Sequence, residues 1–453
     1  MAMAARSPEP PTIAARERFP LAARALRTST VLPGDMVAPR LRLRGQAQSQ
    51  TRAPNNWALY LFLFLLPLQN IQTGYLPNLG GGLNFLNVMF AMSLIGAWMT
   101  RGRIARGEPV NRWVLAYAVY TLISLLVGYQ LVSSAEEHFN ELKNQLLGLF
   151  VVYLVQMSVN DWTGVRRVLL ATVLPLPYIA KVIWIQHHSV SRWHYDDDLR
   201  IRGTFNLLGA NEMAAFCVIA AVVLFALLVA ARLSRAWRIA LMVGIACMVM
   251  GVLYTYSRTA YIGLILGLVT VVLVWRGRWK MMLPLLLAAA LLPSLLPYSV
   301  VERFDSTTVE ENERDQSTEM RFVYWHVAWR NFLEHPVVGS GYHTFHHREI
   351  NPYGKDTHNL YMRTLTEGGV LGAFALLGLL LALLRTARRE LAAAASGSLR
   401  YALALGVVGA WMALVCGNLF GDRFTYYPMI GYFWAYVALM LKARHLPPEE
   451  TAR

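Results

Sequence analysis

The sequence predicts an all-α integral membrane protein with about twelve transmembrane helices, each near the length that a bilayer needs. Three observations lead to this fold class: a shortage of charge, repeated apolar runs, and basic residues in every second loop. Of the 453 residues, 56% are hydrophobic and only 15% are charged, whereas a soluble domain carries about 25% charged residues. The missing charge indicates a chain whose solvent is mostly lipid.

Apolar runs close to the roughly 20 residues that span a bilayer follow one another after residue 54. The fifth run contains Pro175 and Pro177, which a membrane helix tolerates when neighbouring groups satisfy the freed backbone. No internal repeat is visible, so an inverted-repeat transporter gains no support. The predicted spans are 57–71, 83–99, 113–132, 143–159, 165–186, 211–231, 236–254, 259–276, 279–298, 358–384, 399–417 and 425–442.

The spans divide the chain into five predicted regions. Residues 1–54 contain nine arginines and no long apolar run, which predicts a disordered cytoplasmic arm rather than a signal peptide. The other regions are helices 1–9 (55–298), a long periplasmic loop (299–357), helices 10–12 (358–442) and a cytoplasmic tail (443–453).

Loop charge predicts the orientation of the helices. The loop at 100–112 carries four arginines, and every second loop after it is also basic. The alternate loops differ, because 72–82 has no Lys or Arg and 133–142 is acidic. Cytoplasmic loops collect Lys and Arg, so both termini are predicted to be cytoplasmic. The net charge of +15 is scattered over these loops, which argues against a nucleic-acid-binding domain.

The long loop at 299–357 lies outside by this parity. It contains a stretch in which Phe322, Trp325, Trp329, Phe332 and Leu333 fall on one helical face. Such a helix is expected to lie along the membrane interface. A loop of this length is usually functional or disordered, and the aromatic stripe favours function.

Four arginines lie against spans on the outer side, where topology does not explain them: Arg192, Arg200, Arg202 and Arg258. Arg258 opens the eighth span after a very short connection, and Arg200 and Arg202 precede the sixth. An arginine at a membrane edge can simply reach up to lipid headgroups. Together, Arg200, Arg202 and Arg258 could form a cationic clamp for a diphosphate, because a guanidinium stays charged and offers a planar fork of donors.

His358 lies at the outer start of the tenth span. Asp356 or Thr357 is a plausible N-cap, which would place His358 in the first turn with Tyr361 and Met362 on the same face. An interfacial histidine that bonds to a loop is one interpretation. The other is a general base, because the pKa of imidazole lies near neutrality.

Two metal sites are weaker alternatives. His343, His346 and His347 are close in sequence and could bind a metal with Asp356 or His358. The outer acidic run 196–198 could hold a divalent cation, although a solvated loop also explains it. The three cysteines, Cys217, Cys247 and Cys416, lie in apolar runs and predict neither a disulfide framework nor a zinc site. We predict no cofactor and no metal.

Several of these segments resemble the bacterial O-antigen ligase and polymerase family. Ser257-Arg258 resembles the arginine that opens a core helix of the family, and Asn211-Glu212-Met213-Ala214 resembles its "NE-apolar-A" segment. The upstream "RxxG" segment matches Arg200 better than Arg202, but the spacer after Phe205 is long, so the choice stays open. The carboxy-terminal signature comprises Arg321, Trp325, Ala328, Pro336, Gly339, Gly341, Phe345, His358, Asn359, Tyr361, Glu367, Gly369 and Gly372.

The resemblance implies a glycosyltransferase-C-like fold in the inner membrane of a Gram-negative bacterium. It implies that undecaprenyl-diphosphate-linked O-antigen is the donor and that lipid A–core is the acceptor. Arg258 with Arg200 or Arg202 would bind the diphosphate, and His358 would be the base on the periplasmic side. Asn211, Arg321, Asn359 and Tyr361 would support the site. An O-antigen polymerase or a protein O-oligosaccharyltransferase of the same family is the alternative, and a transporter is a weaker one.

Overall fold

The computed structural model describes residues 55–76, 84–131, 134–189, 200–206, 208–281, 298, 301, 316–424 and 426–448. Within these residues the named elements are all helices, which confirms the all-α prediction. They are α1 (Trp57–Leu65), α2 (Gln69–Tyr75), α3 (Phe85–Met99), α4 (Pro109–Val127), α5 (Ala135–Ser158), α6 (Trp162–Val173), α7 (Leu176–Ser189), α8 (Ala210–Ala230), α9 (Arg235–Tyr254), α10 (Arg258–Val274), α11 (Gln316–Glu334), α12 (Leu360–Ala393), α13 (Leu399–Gly417) and α14 (Tyr427–Ala443), with 3-10 turns at Tyr129–Leu131 and Asn418–Phe420.

Six of the described helical segments are long and apolar enough to cross a membrane. The chain is therefore a multi-pass membrane protein. Helices α3 and α10 are apolar but shorter. The count of about twelve spans stays a prediction, and most of the ninth predicted span, 279–298, lies outside the described residues. The six segments are Pro109–Val127, Trp162–Ser189, Ala210–Ala230, Arg235–Tyr254, Leu360–Ala393 and Leu399–Phe420.

Two of the predicted spans are interrupted. The span predicted at 57–71 consists of α1 and α2, with Pro67 in the connection between them. The span predicted at 165–186 consists of α6 and α7, which meet at Pro175. Proline lacks an N–H group and crowds the preceding turn, which explains both interruptions.

The outer loop predicted at 133–142 is mostly helical. Helix α5 begins at Ala135, and the hydroxyl of Ser134 accepts a hydrogen bond from the N–H of Glu137 (3.3 Å). Acidic residues in a first turn are favourable because they face the positive end of the helix dipole. The prediction of a loop at 133–142 was wrong. Glu136 and Glu137 were interpreted only as residues of an outer connection, whereas they belong to the first turn of α5.

Helices α8 and α14 form the centre of the described bundle. Every residue of α14 is buried, and α8 packs against α9, α10, α13 and α14. Helix α5 packs against α14, and α12 packs against α4. The outward face of α9 exposes Ile239, Met242 and Val243, which suits contact with lipid tails.

The basic loops lie together at one end of the bundle. Arg389 forms an ion pair with Glu108 (2.5 Å), and Arg276 donates to the carbonyls of Leu391 and Ala394 (2.9 and 3.0 Å). At the opposite end, the N–H of Tyr342 donates to the carbonyl of Ser124 (3.0 Å). The structure thus separates the loops as the charge pattern predicts, while their assignment to cytoplasm and periplasm stays a prediction.

Candidate functional site

A polar cavity of about 510 Å³ lies at the end of the bundle away from the basic loops. Its walls come from α5, the segment 200–212, α11, the start of α12 and the loops before α12 and after α13. Arg200, Asn211, Arg321, His358, Asp422 and Arg423 all line it. The cavity therefore unites Arg200, Asn211, Arg321 and His358, which are four of the eight residues that the sequence assigned to the transfer site.

Asn211 connects the separate upstream segments. Its side-chain oxygen accepts a hydrogen bond from the guanidinium of Arg200 (2.6 Å) and another from the hydroxyl of Ser257 (2.9 Å). Asn211 lies in the first turn of α8, and Ser257 immediately precedes α10. One amide oxygen thus fixes Arg200 beside the start of α10.

The three arginines of the predicted clamp occupy different places. Arg200 is half-buried and lines the cavity, whereas Arg202 is exposed and is not among the lining residues. Arg258 is half-buried at the N-terminus of α10 and is also not among the lining residues. It is tied to the cavity through Ser257 and Asn211. The structure brings Arg200 to His358 but does not assemble a three-arginine clamp.

His358 lies before α12 rather than in its first turn. The N-cap is Asn359, whose side-chain oxygen accepts from the N–H groups of Tyr361 (2.9 Å) and Met362 (3.1 Å). The prediction of Asp356 or Thr357 as the cap was therefore wrong. Asn is as good a cap as Asp, so residue type alone did not identify the cap.

Tyr361 supports the helix bundle rather than the cavity. Its hydroxyl donates to the carbonyl of Val415 (2.8 Å), across to the end of α13. The predicted common face for His358, Tyr361 and Met362 is accordingly absent, because His358 is not helical. Asn359 contributes as the cap that sets the direction of α12.

The backbone of His358 is held in an uncommon conformation. Its φ is 50°, a left-handed value that costs a non-glycine residue free energy unless its neighbours impose it. Here the hydroxyl of Thr357 donates to the carbonyl of Asn359 (2.9 Å), and the N–H of Leu360 donates to the carbonyl of Gly421 (3.1 Å). The turn presents the imidazole to the cavity, where it is exposed.

The charges around His358 oppose each other. Limited hydration inside the cavity lowers the pKa of His358, and the positive charges of Arg321 and Arg423 lower it further. The carboxylates of Asp356 and Glu212 act in the opposite direction. The net shift is downward, so the imidazole is neutral at neutral pH and has a lone pair available for a proton.

Helix α11 covers one side of the cavity. Arg321 lines the cavity, and the indole N–H of Trp325 donates to the carbonyl of Thr357 (2.9 Å), next to His358. Phe322, Trp329 and Leu333 are exposed (56%, 46% and 59%) on the outer surface. The predicted helix is present, and its position along the membrane interface stays a prediction. Trp325 turns inward, so the aromatic stripe is not a single exposed face.

Two ion-pair groups in the wall were not predicted, although Glu212 and Glu367 belong to segments that resemble the family. Arg363 pairs with Glu367 (3.0 Å) and with Asp422 (2.5 Å), and all three side chains are nearly buried. Arg423 pairs with Glu212 across the cavity. Only the i, i+4 spacing of Arg363 and Glu367 is a local signal, because the other partners are far apart in sequence.

Helix α12 is broken at Gly369, and the loop that precedes α12 packs against this break through Ser340 and Gly341. Gly369 has φ 58° and ψ −157°, a conformation that is open essentially to glycine alone. The freed groups bond to the loop instead, because the N–H groups of Ser340 and Gly341 donate to the carbonyls of Thr366 and Glu367 (2.9 and 3.0 Å). This arrangement holds the loop that carries His343 and His346 against the cavity.

The predicted histidine cluster forms with different partners. His343 and His346 approach each other (ring centroids 4.1 Å apart) and approach Glu137, whereas His347 is not among the residues placed close enough to share a metal. Burial lowers the pKa of His343 to about 2, and the charge of Arg363 acts in the same direction. The alternative acidic run at 196–198 lies outside the described residues.

These features define a class: a multi-pass helical membrane protein with a cationic, histidine-containing cavity at one end of its bundle. A family model described as O-antigen ligase matches residues 243–377, so this segment is similar to that family and supports the resemblance seen in the sequence. The matched segment contains Arg258, Arg321 and His358, while Arg200 and Asn211 lie outside it. No curated protein matches the chain.

Proposed function

We propose that this protein is an O-antigen ligase, which transfers O-antigen polysaccharide from undecaprenyl diphosphate to a sugar hydroxyl of lipid A–core. The observation that supports this most is the single cavity that His358, Arg200 and Arg321 all line. A transfer of this kind needs a base for the acceptor and fixed positive charge for the leaving diphosphate. The family match supports the same class of reaction.

The arginines are assigned to the diphosphate. Asn211 orients the guanidinium of Arg200. The side chain therefore loses less conformational freedom when the substrate binds. Arg321 faces the same cavity from α11. Arg258 stands at the N-terminus of α10, where the helix dipole also favours an anion. Positive charge is thereby directed to the oxygen that gains negative charge as the glycosidic bond breaks.

His358 is assigned as the general base. The acceptor hydroxyl attacks the anomeric carbon as His358 takes its proton, and the bond from that carbon to the diphosphate oxygen breaks. Undecaprenyl diphosphate leaves with the bonding electron pair, and direct displacement inverts the anomeric centre. The diphosphate leaving group makes a nucleotide unnecessary, and the arginines replace a divalent cation at the diphosphate.

A lipid-borne donor also needs an apolar path. A narrow crevice adjoins the cavity, shares Asn211 and Arg423 with it, and is lined below them by Val218, Ile219 and Ala413. These side chains come from α8 and α13, which are both long enough to cross a membrane. The crevice holds only about 20 Å³, so it would have to widen for a polyprenyl chain to lie there while its diphosphate enters the cavity.

The test is in vitro transfer of lipid-linked O-antigen to purified lipid A–core, with EDTA and without added Mg²⁺ or Mn²⁺. The assay temperature is well below the unfolding temperature of the protein, so that a loss of activity does not reflect unfolding. His358→Ala is expected to reduce the rate by about 10²–10⁴, and Arg200→Ala by about 10²–10³. Arg202→Ala is the matched control, because Arg202 is exposed two positions away.

Full activity in His358→Ala would refute the assigned base. Equal losses in Arg200→Ala and Arg202→Ala would refute the assignment of the diphosphate to Arg200. If wild type does not modify lipid A–core but extends a lipid-linked repeat, the protein is a polymerase of the same family, because the two reactions differ only in the acceptor.

A further inference from the structure

A second polar cluster lies at the edge of the cavity, between the start of α5 and the loop that precedes α12. His343 and His346 belong to the cavity lining, whereas Glu137 does not. A carboxylate oxygen of Glu137 is 3.5 Å from Nε2 of His343 and 3.9 Å from Nε2 of His346. One ligand atom from each of the three residues lies within 4.8 Å of the others. None of the three belongs to the set that is assigned above to transfer.

The next residue of α5 adds a third imidazole. His138 is buried (3% exposed), and its ring centroid is 5.2 Å from that of His343 and 6.0 Å from that of His346. Its Nδ1 lies 3.3 Å from the carbonyl of Ser134. A carbonyl only accepts, so the proton of His138 is on Nδ1 and its Nε2 has a lone pair.

The Nε2 atoms of all three histidines are buried and have no hydrogen-bond partner among the residues that the structure describes. A buried polar atom without a partner costs free energy, and such atoms call for an explanation by a water, an ion or a functional role. A metal ion that accepts their lone pairs satisfies these nitrogens together and is attracted by the carboxylate of Glu137.

We propose that Glu137, His343 and His346 bind a divalent transition metal ion, with Zn²⁺ as the best match. Two imidazoles and a carboxylate are a common ligand set for Zn²⁺, which takes nitrogen ligands at about 2.0–2.1 Å and oxygen ligands at about 2.0–2.2 Å. Mg²⁺ and Ca²⁺ prefer oxygen ligands throughout and fit the set poorly. His138 or a water molecule would supply the fourth ligand.

The ligand atoms lie within 4.8 Å of one another and must draw together around an ion. A tetrahedral ion at these bond lengths separates its ligand atoms by roughly 3.3–3.5 Å, which matches the 3.5 Å between Glu137 and His343. His346 has to approach by a few tenths of an ångström. Ligation through Nε2 puts the remaining proton of His343 on Nδ1. Its long contact with Arg363 (3.4 Å) must then open, while Arg363 keeps both carboxylate partners.

This site differs from the one that sequence spacing suggested. His347, Asp356 and His358 are not among the residues that the structure groups, and the carboxylate comes from α5, about 200 positions earlier in the chain. The ion would join α5 to the loop that packs into the break of α12. Its role is to hold the cavity wall, so it is separate from the reacting atoms and from the diphosphate.

The experiment measures metal binding directly and does not depend on transfer activity. Protein purified in nanodiscs without a histidine tag is stripped with chelator, equilibrated with ZnCl₂ and analysed for bound zinc and for melting temperature. Wild type is expected to bind one equivalent and to melt at a higher temperature with zinc, because ligand binding favours the folded state. His343→Ala, His346→Ala and Glu137→Gln are each expected to weaken zinc binding about tenfold or more.

His347→Ala is the matched control, because it removes a neighbouring histidine and leaves the proposed ligands. It should bind zinc as wild type does. Co²⁺ provides a second readout, since its visible absorption reports tetrahedral nitrogen and oxygen ligands and should vanish in the three ligand variants. Zinc binding that is unchanged in His343→Ala and Glu137→Gln, or no specific zinc binding by folded wild type, would overturn the proposal.

Discussion

At the scale of single residues, the position of His358 is determined by its neighbours in the turn rather than by a helix. Thr357 and Asn359 are buried on either side of it, and Trp325 bonds to the carbonyl of Thr357. The left-handed backbone of His358 directs the side chain into the cavity while its neighbours are fixed in the wall. A base that must not move as the acceptor enters benefits from such a rigid turn.

The shifted pKa of His358 predicts the pH dependence of transfer. Only the neutral imidazole can accept a proton, so the active form is present above the pKa and is lost as the pH falls through it. Because the folded-state pKa lies below the usual 6.5, the acid limb of the kcat/KM profile is expected below pH 6.5. Asp356→Asn should move this limb to still lower pH, because the carboxylate raises the pKa.

The control for the pH profile is His335→Ala, since His335 is exposed and outside the cavity lining. The acid limb of the kcat/KM profile of His335→Ala should coincide with that of wild type. The residual activity of His358→Ala should lack the limb altogether. An unchanged limb in His358→Ala would assign the titration to another group.

Arg363 is the residue whose removal should be most harmful to folding. Its side chain neutralises both Glu367 and Asp422 in a nearly buried position. Arg363→Met leaves two facing carboxylates without a cation, and removal of one partner from a buried ion pair costs about 3–5 kcal/mol. The melting temperature should fall strongly, whereas Arg330→Met, at an exposed position of α11, should change it little.

At the scale of elements, α12 combines a regular membrane helix with a break at Gly369. An added Cβ at Gly369 would meet the backbone of Val337, and the φ of 58° is unfavourable for any other residue. Gly369→Ala is therefore expected to lower the stability by about 1–3 kcal/mol, because this backbone conformation is open essentially to glycine alone. The readout is thermal unfolding in detergent.

Gly74→Ala is the control for that substitution, because a Cβ there would meet no atom within 4 Å. Removing glycine flexibility in a helix should leave stability unchanged or slightly higher. If Gly369→Ala were as stable as wild type, the break in α12 would not require glycine.

Sequence patterns predicted the positions of the helices better than the breaks and caps at which helices end or begin. The aromatic spacing correctly indicated α11, because one helix determines that pattern. Pro67 and Pro175 were visible, yet the pattern did not show that both would divide a span, since neighbouring helices decide whether the freed groups are satisfied. The cap of α12 was misplaced by two or three positions because Asp356, Thr357 and Asn359 are all good caps in isolation.

At the scale of the whole molecule, the parts of the site that depend on distant contacts were not predictable from one sequence. Glu212 and Arg423 are 211 positions apart, and Arg363 and Asp422 are 59 apart. Nothing local distinguishes these pairs from exposed charges. His358 and Arg200 were accessible to sequence reasoning because they stand at membrane edges, where a charge or an imidazole needs a local reason.

The orientation of the bundle gives the last prediction. The basic loops form one end of the structure, and the cavity opens at the other, so the cavity should face the periplasm if the excess of Lys and Arg marks the cytoplasm. In a variant with Cys217, Cys247 and Cys416 replaced by Ala, single cysteines are introduced at Glu349 and at Arg106. Both positions are exposed, the first near the cavity and the second in a basic loop.

A membrane-impermeant maleimide added to cells with a permeable outer membrane should label Glu349→Cys but not Arg106→Cys. After the inner membrane is also permeabilised, both should react, which shows that both positions are accessible in the folded protein. Labelling of Arg106→Cys alone in intact inner membranes would invert the topology. It would also place His358 in the cytoplasm, where a donor on the outer face could not reach it.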